Sequence, residues 1–239
     1  TFYHKGGGVG QTPDYWGNDY NDDTYFRNGI PEKTEGYCTD VFFEEALTFI
    51  KKSKSAPFLC YLSLNAPHSP FNVPEAYYNI YKDNPALLDS QKRFYGMISN
   101  IDDNFGKLTN TLKSLDLMDN TILIFTTDNG TSNGYKYNKK EKKWYGYNAL
   151  MKGTKTSEYD GGHRVPFIMH WKRGGFLAGK NFSGLSAHVD VLPTLAALAG
   201  VAFTPDKTID GIDLSPFIQS NKTSEPVSYT HLRAHETRP

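Results

Sequence analysis

Asp128 and Asn129 stand side by side at the end of the run TILIFTT, residues 121–127, and Lys155 lies downstream within MKGTKTSEYDGGHRVP. An acid next to an amide offers the hard oxygen ligands that Ca²⁺ or Mg²⁺ takes. A lysine held nearby would neutralise a tetrahedral anion bound against such a cation. His68 sits in a proline-bracketed loop of PFLCYLSLNAPHSPFNVPEAY. Taken singly, each has a structural reading. Asp-Asn-Gly after a strand is a common turn, because Asn and Gly accept positive φ. A lone lysine is ordinarily a solvated charge, and a histidine between prolines can be a plain loop residue. Order and context, rather than any one residue, carry the functional reading.

The elements that would position these side chains follow from periodicity. Residues 121–127 are β-branched and apolar enough for a buried parallel strand, so Asp128 and Asn129 emerge at its carboxyl end, where open α/β sheets bind ligands. The apolar run from Phe58 to Leu64 reads as a second buried strand ending at Asn65. A coarse pass gives helix at 39–54, strand at 57–64, helix at 89–116, strands at 121–127 and 165–171, and helix at 189–199, an alternation that argues for an α/β sheet. On the long helix Phe94, Ile98, Ile101, Phe105, Leu108, Leu112 and Leu115 step by four and three as a core stripe. Asp102 and Asp103 lie on the same helix, but adjacent helix positions point in different directions, so they form no metal pair.

Together the three elements resemble the sulfatase family of the alkaline phosphatase superfamily. In that family a strand ending in Asp-Asn-Gly precedes a lysine five residues before an acidic-Gly-Gly, then Arg-x-Pro. Here Lys155 stands five residues before Asp160, Gly161 and Gly162, with Arg164, Val165 and Pro166 behind them, so the spacing selects Lys155 over its neighbour Lys152. Asp160 replaces the usual glutamate. The Ala-Pro-His-x-Pro context likewise matches the family's substrate-contacting histidine, which places His68 beside the sulfate as hydrogen-bond donor or proton source for the leaving oxygen. GYCTDVFFEEALTFI, with Thr39 or Asp40 as N-cap, looks like the helix before the His68 strand. HVDVLPTLAALAG resembles a helix near the end of the catalytic domain, with Leu192, Leu195, Ala196, Leu198 and Ala199 facing the core. DGIDLSPFI matches a later turn whose acids read as structural.

The resemblance implies an alkaline phosphatase-like α/β fold, a mostly parallel sheet flanked by helices, incomplete here because the N-terminal half is missing. It implies a sulfuric ester hydrolase cleaving sulfate from a sulfated carbohydrate or aryl sulfate, with Ca²⁺, less readily Mg²⁺, held by Asp128 and Asn129, and with His68 and Lys155 as catalytic and substrate-binding groups. The nucleophile would be a formylglycine made by a formylglycine-generating or maturase enzyme from Cys or Ser in Cys/Ser-x-Pro-Ser-Arg. That motif does not occur in these 239 residues, and the family's Asp-Asp pair, which stands ahead of it, is not matched here; Cys38 is followed by TDV and Cys60 by YLS. The expectation is therefore the second half of a catalytic domain, inactive alone. Two alternatives stay open: a phosphodiesterase or phosphonate hydrolase of the same superfamily, and a non-catalytic glycan-binding relative.

Composition narrows the partners. The 26 basic and 26 acidic side chains cancel, so no net field favours nucleic acid or an anionic membrane, and any anion affinity is local. No apolar run approaches the 18 or so residues of a membrane span. Two cysteines are too few for a disulfide framework and read as free buried thiols. From the resemblance alone, the protein is expected in the periplasm or secreted. Segment boundaries are expected at 1–36 for a loop-rich rim, 37–226 for the catalytic half, and 227–239 for a non-native or disordered tail, VSYTHLRAHETRP. GGGVG, residues 6–10, lacks the Lys-Ser/Thr of a phosphate loop and reads as a flexible loop. The basic cluster KYNKKEKKW reads as a solvated excursion, with attraction of a polyanionic glycan as the other reading.

Overall fold

Residues 3–5, 16–182, 184–202, 204, 206 and 208–219 are described by the computed structural model. The GGGVG stretch and the 227–239 tail lie outside them. The chain divides into two compact units: residues 1–118 with 124–169, and residues 119–123 with 170–239.

The first unit opens with a three-stranded antiparallel sheet in the order β1 (Tyr3–Lys5), β2 (Thr24–Arg27), β3 (Ile30–Lys33). Helix α1 (Cys38–Ser53) follows, burying Phe42, Phe43, Ala46, Leu47 and Ile50 at three- and four-residue steps, the stripe of a helix packed on one side. Its N-cap is Tyr37, in extended backbone and without a side-chain cap bond, instead of the expected Thr39 or Asp40. The reason is visible in the first turn. Asp40 accepts hydrogen bonds from Asn100 Nδ2 at 2.8 Å and Asn104 Nδ2 at 2.6 Å, so its carboxylate is committed to the neighbouring helix.

That neighbour is α3 (Asp89–Ser114), packed against α1 and against the short α2 (Glu75–Tyr81). The expected stripe is half right. Phe94, Leu108 and Leu112 are buried, but Ile98 is 39% exposed, while Gln91, Met97, Asn100 and Asn104 are fully buried. The apolar period is bent toward the amides because they close over Asp40. Tyr20, Tyr25, Tyr37, Cys38, Phe42, Ala66 and Met97 form the main core cluster, with Leu62, Leu64, Phe71 and Ile101 packed against it. At the rim of this cluster Arg27 forks onto Glu45 of α1, at 2.6 and 2.7 Å, and also meets Glu32 of β3.

The expected strand at 57–64 is not one: no ladder forms there among the described residues. The segment alternates all the same. Phe58, Cys60, Leu62 and Leu64 are half-buried, whereas Leu59 and Tyr61 are 81% and 88% exposed. Its side-chain period is that of a strand, but a strand also needs a hydrogen-bonding partner. The expected strands at 121–127 and 165–171 form as shorter β4 (Leu123–Thr126) and β7 (Phe167–His170), which pair with each other. Between them lies a hairpin, β5 (Tyr135–Asn138) and β6 (Lys143–Gly146), antiparallel. A single helical turn, α4 (Asp160–His163), precedes β7.

In the second unit α5 (Val191–Leu198) buries Thr194 and Leu198, and Leu192, expected in its core stripe, is 57% exposed. Polar groups hold this unit together. The buried Asp190 carboxylate accepts from the amides of Ala187 and Ile212 at 2.8 and 2.9 Å, and Thr194 Oγ1 accepts from Leu214 N at 2.9 Å. Asp213 Oδ1 accepts from Ser215 N at 2.8 Å at the start of α6 (Ser215–Gln219). Both cysteines are free thiols, Cys38 buried and Cys60 half-buried, and burial pushes the Cys60 thiol up. No described helix is long and apolar enough to cross a membrane.

Candidate active site

β4 delivers the chain to Asp128 and Asn129 as its pairing with β7 ends. The turn that follows is fixed by backbone bonds to the downstream motif. Gly130 N donates to Gly162 O at 2.8 Å, and Lys155 N donates to Thr131 O at 2.8 Å. The strand end carrying the acid and amide and the loop carrying the lysine are therefore one hydrogen-bonded body.

This contact requires glycine. A Cβ on Gly130 would stand 2.0 Å from Gly161 O, and one on Gly161 would stand 2.1 Å from Gly153 O. Asn148, buried and not anticipated from sequence, supports the lysine loop by donating from Nδ2 to Gly153 O at 2.6 Å and Met151 O at 3.2 Å. Gly161 N closes the same loop onto Lys152 O at 2.8 Å. Thr156, next to Lys155, sits at φ 75, a left-handed conformation that a β-branched residue adopts only when its surroundings impose it.

The side chains of the two lysines differ in their surroundings. Lys152 Nζ lies 3.6 Å above the Tyr159 ring, a cation–π contact that occupies it. Lys155 makes no ion pair among the described residues. Asp160 is paired with Arg164 at 3.4 Å. Asn129 Nδ2 donates to Gly130 O at 2.9 Å, and its Oδ1 accepts no hydrogen bond among the described residues. The Asp128 carboxylate is exposed and has no hydrogen bond or ion pair among the described residues. Two uncommitted hard oxygens in adjacent positions fit Ca²⁺ chemically, as two of the six to eight ligands it takes. No group of three or more His, Cys, Asp or Glu that could hold a metal occurs among the described residues.

His68 lies apart from these loops in the bonding network. Its carbonyl accepts from the Tyr20 hydroxyl at 2.9 Å, and its amide donates to Asn65 O at 2.9 Å, so the loop is pinned to the core. Tyr20 is completely buried, and burial pushes its phenol well above the usual tyrosine range, so it stays a neutral donor. His68 Nδ1 lies 2.9 Å from Ser69 O. A carbonyl can only accept, so Nδ1 carries the proton and Nε2 is the end presented to solvent. No hydrogen bond joins the His68 side chain to Asp128, Asn129 or Lys155 among the described residues.

Residues 2–201 match the protein family described as Sulfatase. The chain belongs to the sulfatase family. It is 30% identical to the uncharacterized sulfatase YdeN of Escherichia coli K12, over 92% of this chain and 39% of that protein. Human N-acetylgalactosamine-6-sulfatase is 32% identical, over 82% of this chain and 35% of that protein. Among solved structures, Ps i-CgsB in complex with k-i-k-neocarrahexaose superposes with a TM-score of 0.69 at 33% identity, covering 81% of this chain and 41% of that one. The chain thus spans a little over a third of the length of the curated relatives it matches. These sulfatases carry the alkaline phosphatase-like α/β fold, and the helices and small sheets of this chain form part of it.

Proposed function

We propose that this chain supplies the charge clamp of a sulfuric ester hydrolase acting on a sulfated carbohydrate or an aryl sulfate. The observation that carries the reading is the pair of backbone bonds from Gly130 to Gly162 and from Lys155 to Thr131, which fuse the oxygen ligands and the lysine into one rigid body.

Each residue has a role that follows from its free group. Asp128 and Asn129 hold the cation, Ca²⁺ by the hardness of their oxygens, through a carboxylate oxygen and the amide Oδ1. The cation, when bound, offsets charge on the sulfate oxygens. Lys155 donates from Nζ to a sulfate or leaving-group oxygen, where negative charge grows as the S–O ester bond breaks. His68 presents Nε2 and, in its doubly protonated form, donates a hydrogen bond or a proton from it to the departing oxygen. The 239 residues contain no Cys/Ser-x-Pro-Ser-Arg, so they do not supply the attacking formylglycine, which a separate maturase would make elsewhere in the full-length enzyme. Export to the periplasm or medium, where Ca²⁺ is abundant, suits such a site.

The test uses the full-length enzyme that carries these residues. Turnover of an aryl sulfate and Ca²⁺ affinity are measured for wild type and Asp128→Ala. The variant is expected to weaken Ca²⁺ binding by more than the roughly tenfold to hundredfold that loss of an outer-shell partner brings. Unchanged Ca²⁺ affinity in the variant would sink the metal assignment.

A further inference from the structure

The segment that joins the two halves of the candidate site is itself a displayed surface. The β5–β6 hairpin leaves the site at Thr131, whose carbonyl receives Lys155 N, and returns to it at Asn148, which supports the Lys155 loop. Its register pairs Tyr135 with Gly146, Lys136 with Tyr145, Tyr137 with Trp144, and Asn138 with Lys143. Directly paired residues share a face and alternate residues change face. One face therefore carries Tyr135, Tyr137 and Trp144, and the other carries Lys136, Lys143 and Tyr145, with Lys143 Nζ 5.0 Å from the centroid of the Tyr145 ring.

The aromatic face is ordered and open. Tyr135 and Trp144 stack with centroids 4.5 Å apart and planes 11° apart, and Tyr137 leans on Trp144 at 5.2 Å. Trp144 is nevertheless 51% exposed and Tyr137 42%. Lys139, Lys140 and Lys142 are exposed at the turn. None of the five lysines forms an ion pair among the described residues. The single acid, Glu141, is used internally: it accepts from Asn138 Nδ2 at 3.1 Å and from the Tyr145 hydroxyl. In a chain of zero net charge this is a concentrated positive patch.

A merely solvated excursion has no need of a fixed root, and this one has it. Gln91 of α3, completely buried, donates from Nε2 to Asn133 O at 3.1 Å and Tyr145 O at 2.9 Å. The Tyr95 hydroxyl donates to Gly134 O at 2.8 Å, and Asn133 Nδ2 donates to Ser90 O at 2.9 Å. The hairpin stands at a set position relative to the lysine loop, all within the first unit.

We propose that the hairpin is a second binding site for an oligosulfated carbohydrate chain, with lysines gripping a sulfate other than the one at Lys155 and Trp144 stacking on a sugar ring. This rests on the sulfatase reading and narrows its substrate class from any sulfate ester to a polymer or oligomer bearing several sulfates. A flat apolar ring beside separate ammonium groups complements a sugar, which has an apolar C–H face and projecting sulfates.

The experiment compares the full-length enzyme with the triple variant Lys139→Ser/Lys140→Ser/Lys142→Ser and, separately, Trp144→Ala. Probes are a sulfated tetrasaccharide, its unsulfated counterpart and 4-methylumbelliferyl sulfate. Expected for each variant is a rise in KM for the sulfated tetrasaccharide of about tenfold, with kcat on the small ester within about twofold of wild type. The salt dependence of tetrasaccharide binding should flatten in the lysine variant only. A KM within twofold of wild type in both variants overturns the proposal, as does equal binding of the unsulfated sugar or of a DNA duplex by wild type. Should the enzyme turn over neither ester, the sulfatase reading fails by itself. Equilibrium binding of the tetrasaccharide to wild type and variants then still decides the hairpin's role.

Discussion

The amide of Lys155 donates to the carbonyl of Thr131 across 2.8 Å, so the position of the lysine is set by its backbone and not by its side chain. Chemistry and folding can therefore be separated at this residue. Lys155→Ala keeps the amide bond and removes only the ammonium. Turnover of a sulfate ester by the full-length enzyme is expected to fall about 10²- to 10³-fold, the usual cost of deleting one group that stabilises developing charge. Stability should stay within about 0.5 kcal/mol, as for a substitution away from packed features. Steady-state kinetics and thermal unfolding of the same preparation check both, and near-normal turnover would remove Lys155 from the site.

Gly130 tests the backbone contact itself. Its Cβ would fall 2.0 Å from Gly161 O and 2.9 Å from Gly162 C, and a main-chain wall cannot rotate aside. Gly130→Ala is expected to cost roughly 1–3 kcal/mol, as overpacking does, and to lower Tm by several degrees. Turnover should fall by more than the stability loss explains, because Asp128 and Lys155 lose their common frame. Gly106→Ala is the control. It lies in α3 with nothing within 4 Å of the place its Cβ would take, so alanine there should be neutral or stabilising by up to about 1 kcal/mol. Equal Tm values for Gly130→Ala and wild type would mean that the two loops are not bonded as described.

What the sequence revealed, and what it hid, follows from the range over which each signal acts. The helices α1 and α3 were legible because apolar residues recur locally at three and four. The preference for Lys155 over Lys152 came from spacing and family resemblance, whereas the contact of Lys152 with Tyr159 spans seven residues and carries no motif. Buried amides were hidden. Asn100, Asn104 and Asn148 look like surface residues until the carboxylate or carbonyls that they serve arrive from elsewhere in the chain. The segment at 57–64 failed for the converse reason. Its alternation is local and real, but a ladder depends on a partner strand that no local pattern specifies. Tyr20, which holds the His68 carbonyl, lies 48 positions from it and carries no motif.

A pH-dependent prediction comes from Arg27. Its guanidinium meets Glu32 at 2.6 Å and forks onto Glu45, and this hydrogen bonding holds the Glu32 carboxyl below the usual range. An acid with a lowered folded-state pKa contributes stability above its unfolded value, near 4.3, and that contribution is lost as pH falls through the folded value. Arg27→Met should lower Tm at pH 7, through loss of the paired guanidinium that meets Glu32. The Tm gap between variant and wild type should close as pH falls below about 4. Melting curves from pH 3 to 7 decide it, and a gap that persists unchanged at pH 3 would show that packing of the arginine stem, not its charge, is what the variant removes.

Tyr20→Phe probes how His68 is held. The hydroxyl that donates to His68 O at 2.9 Å comes from a completely buried ring, so the substitution deletes that bond and keeps the packing of Tyr20 against Tyr37. The stability cost should be about 1 kcal/mol, that of one neutral hydrogen bond. The released loop no longer presents Nε2 in a fixed place, so kcat on a sulfate ester should drop several-fold. Ca²⁺ affinity should not change, because Asp128 and Asn129 are fastened to a different loop. A positioning role also predicts a particular interaction with His68→Ala: once the imidazole is gone, adding Tyr20→Phe should lower kcat no further. Fully additive losses in the double variant would show that Tyr20 acts through the core and not through His68.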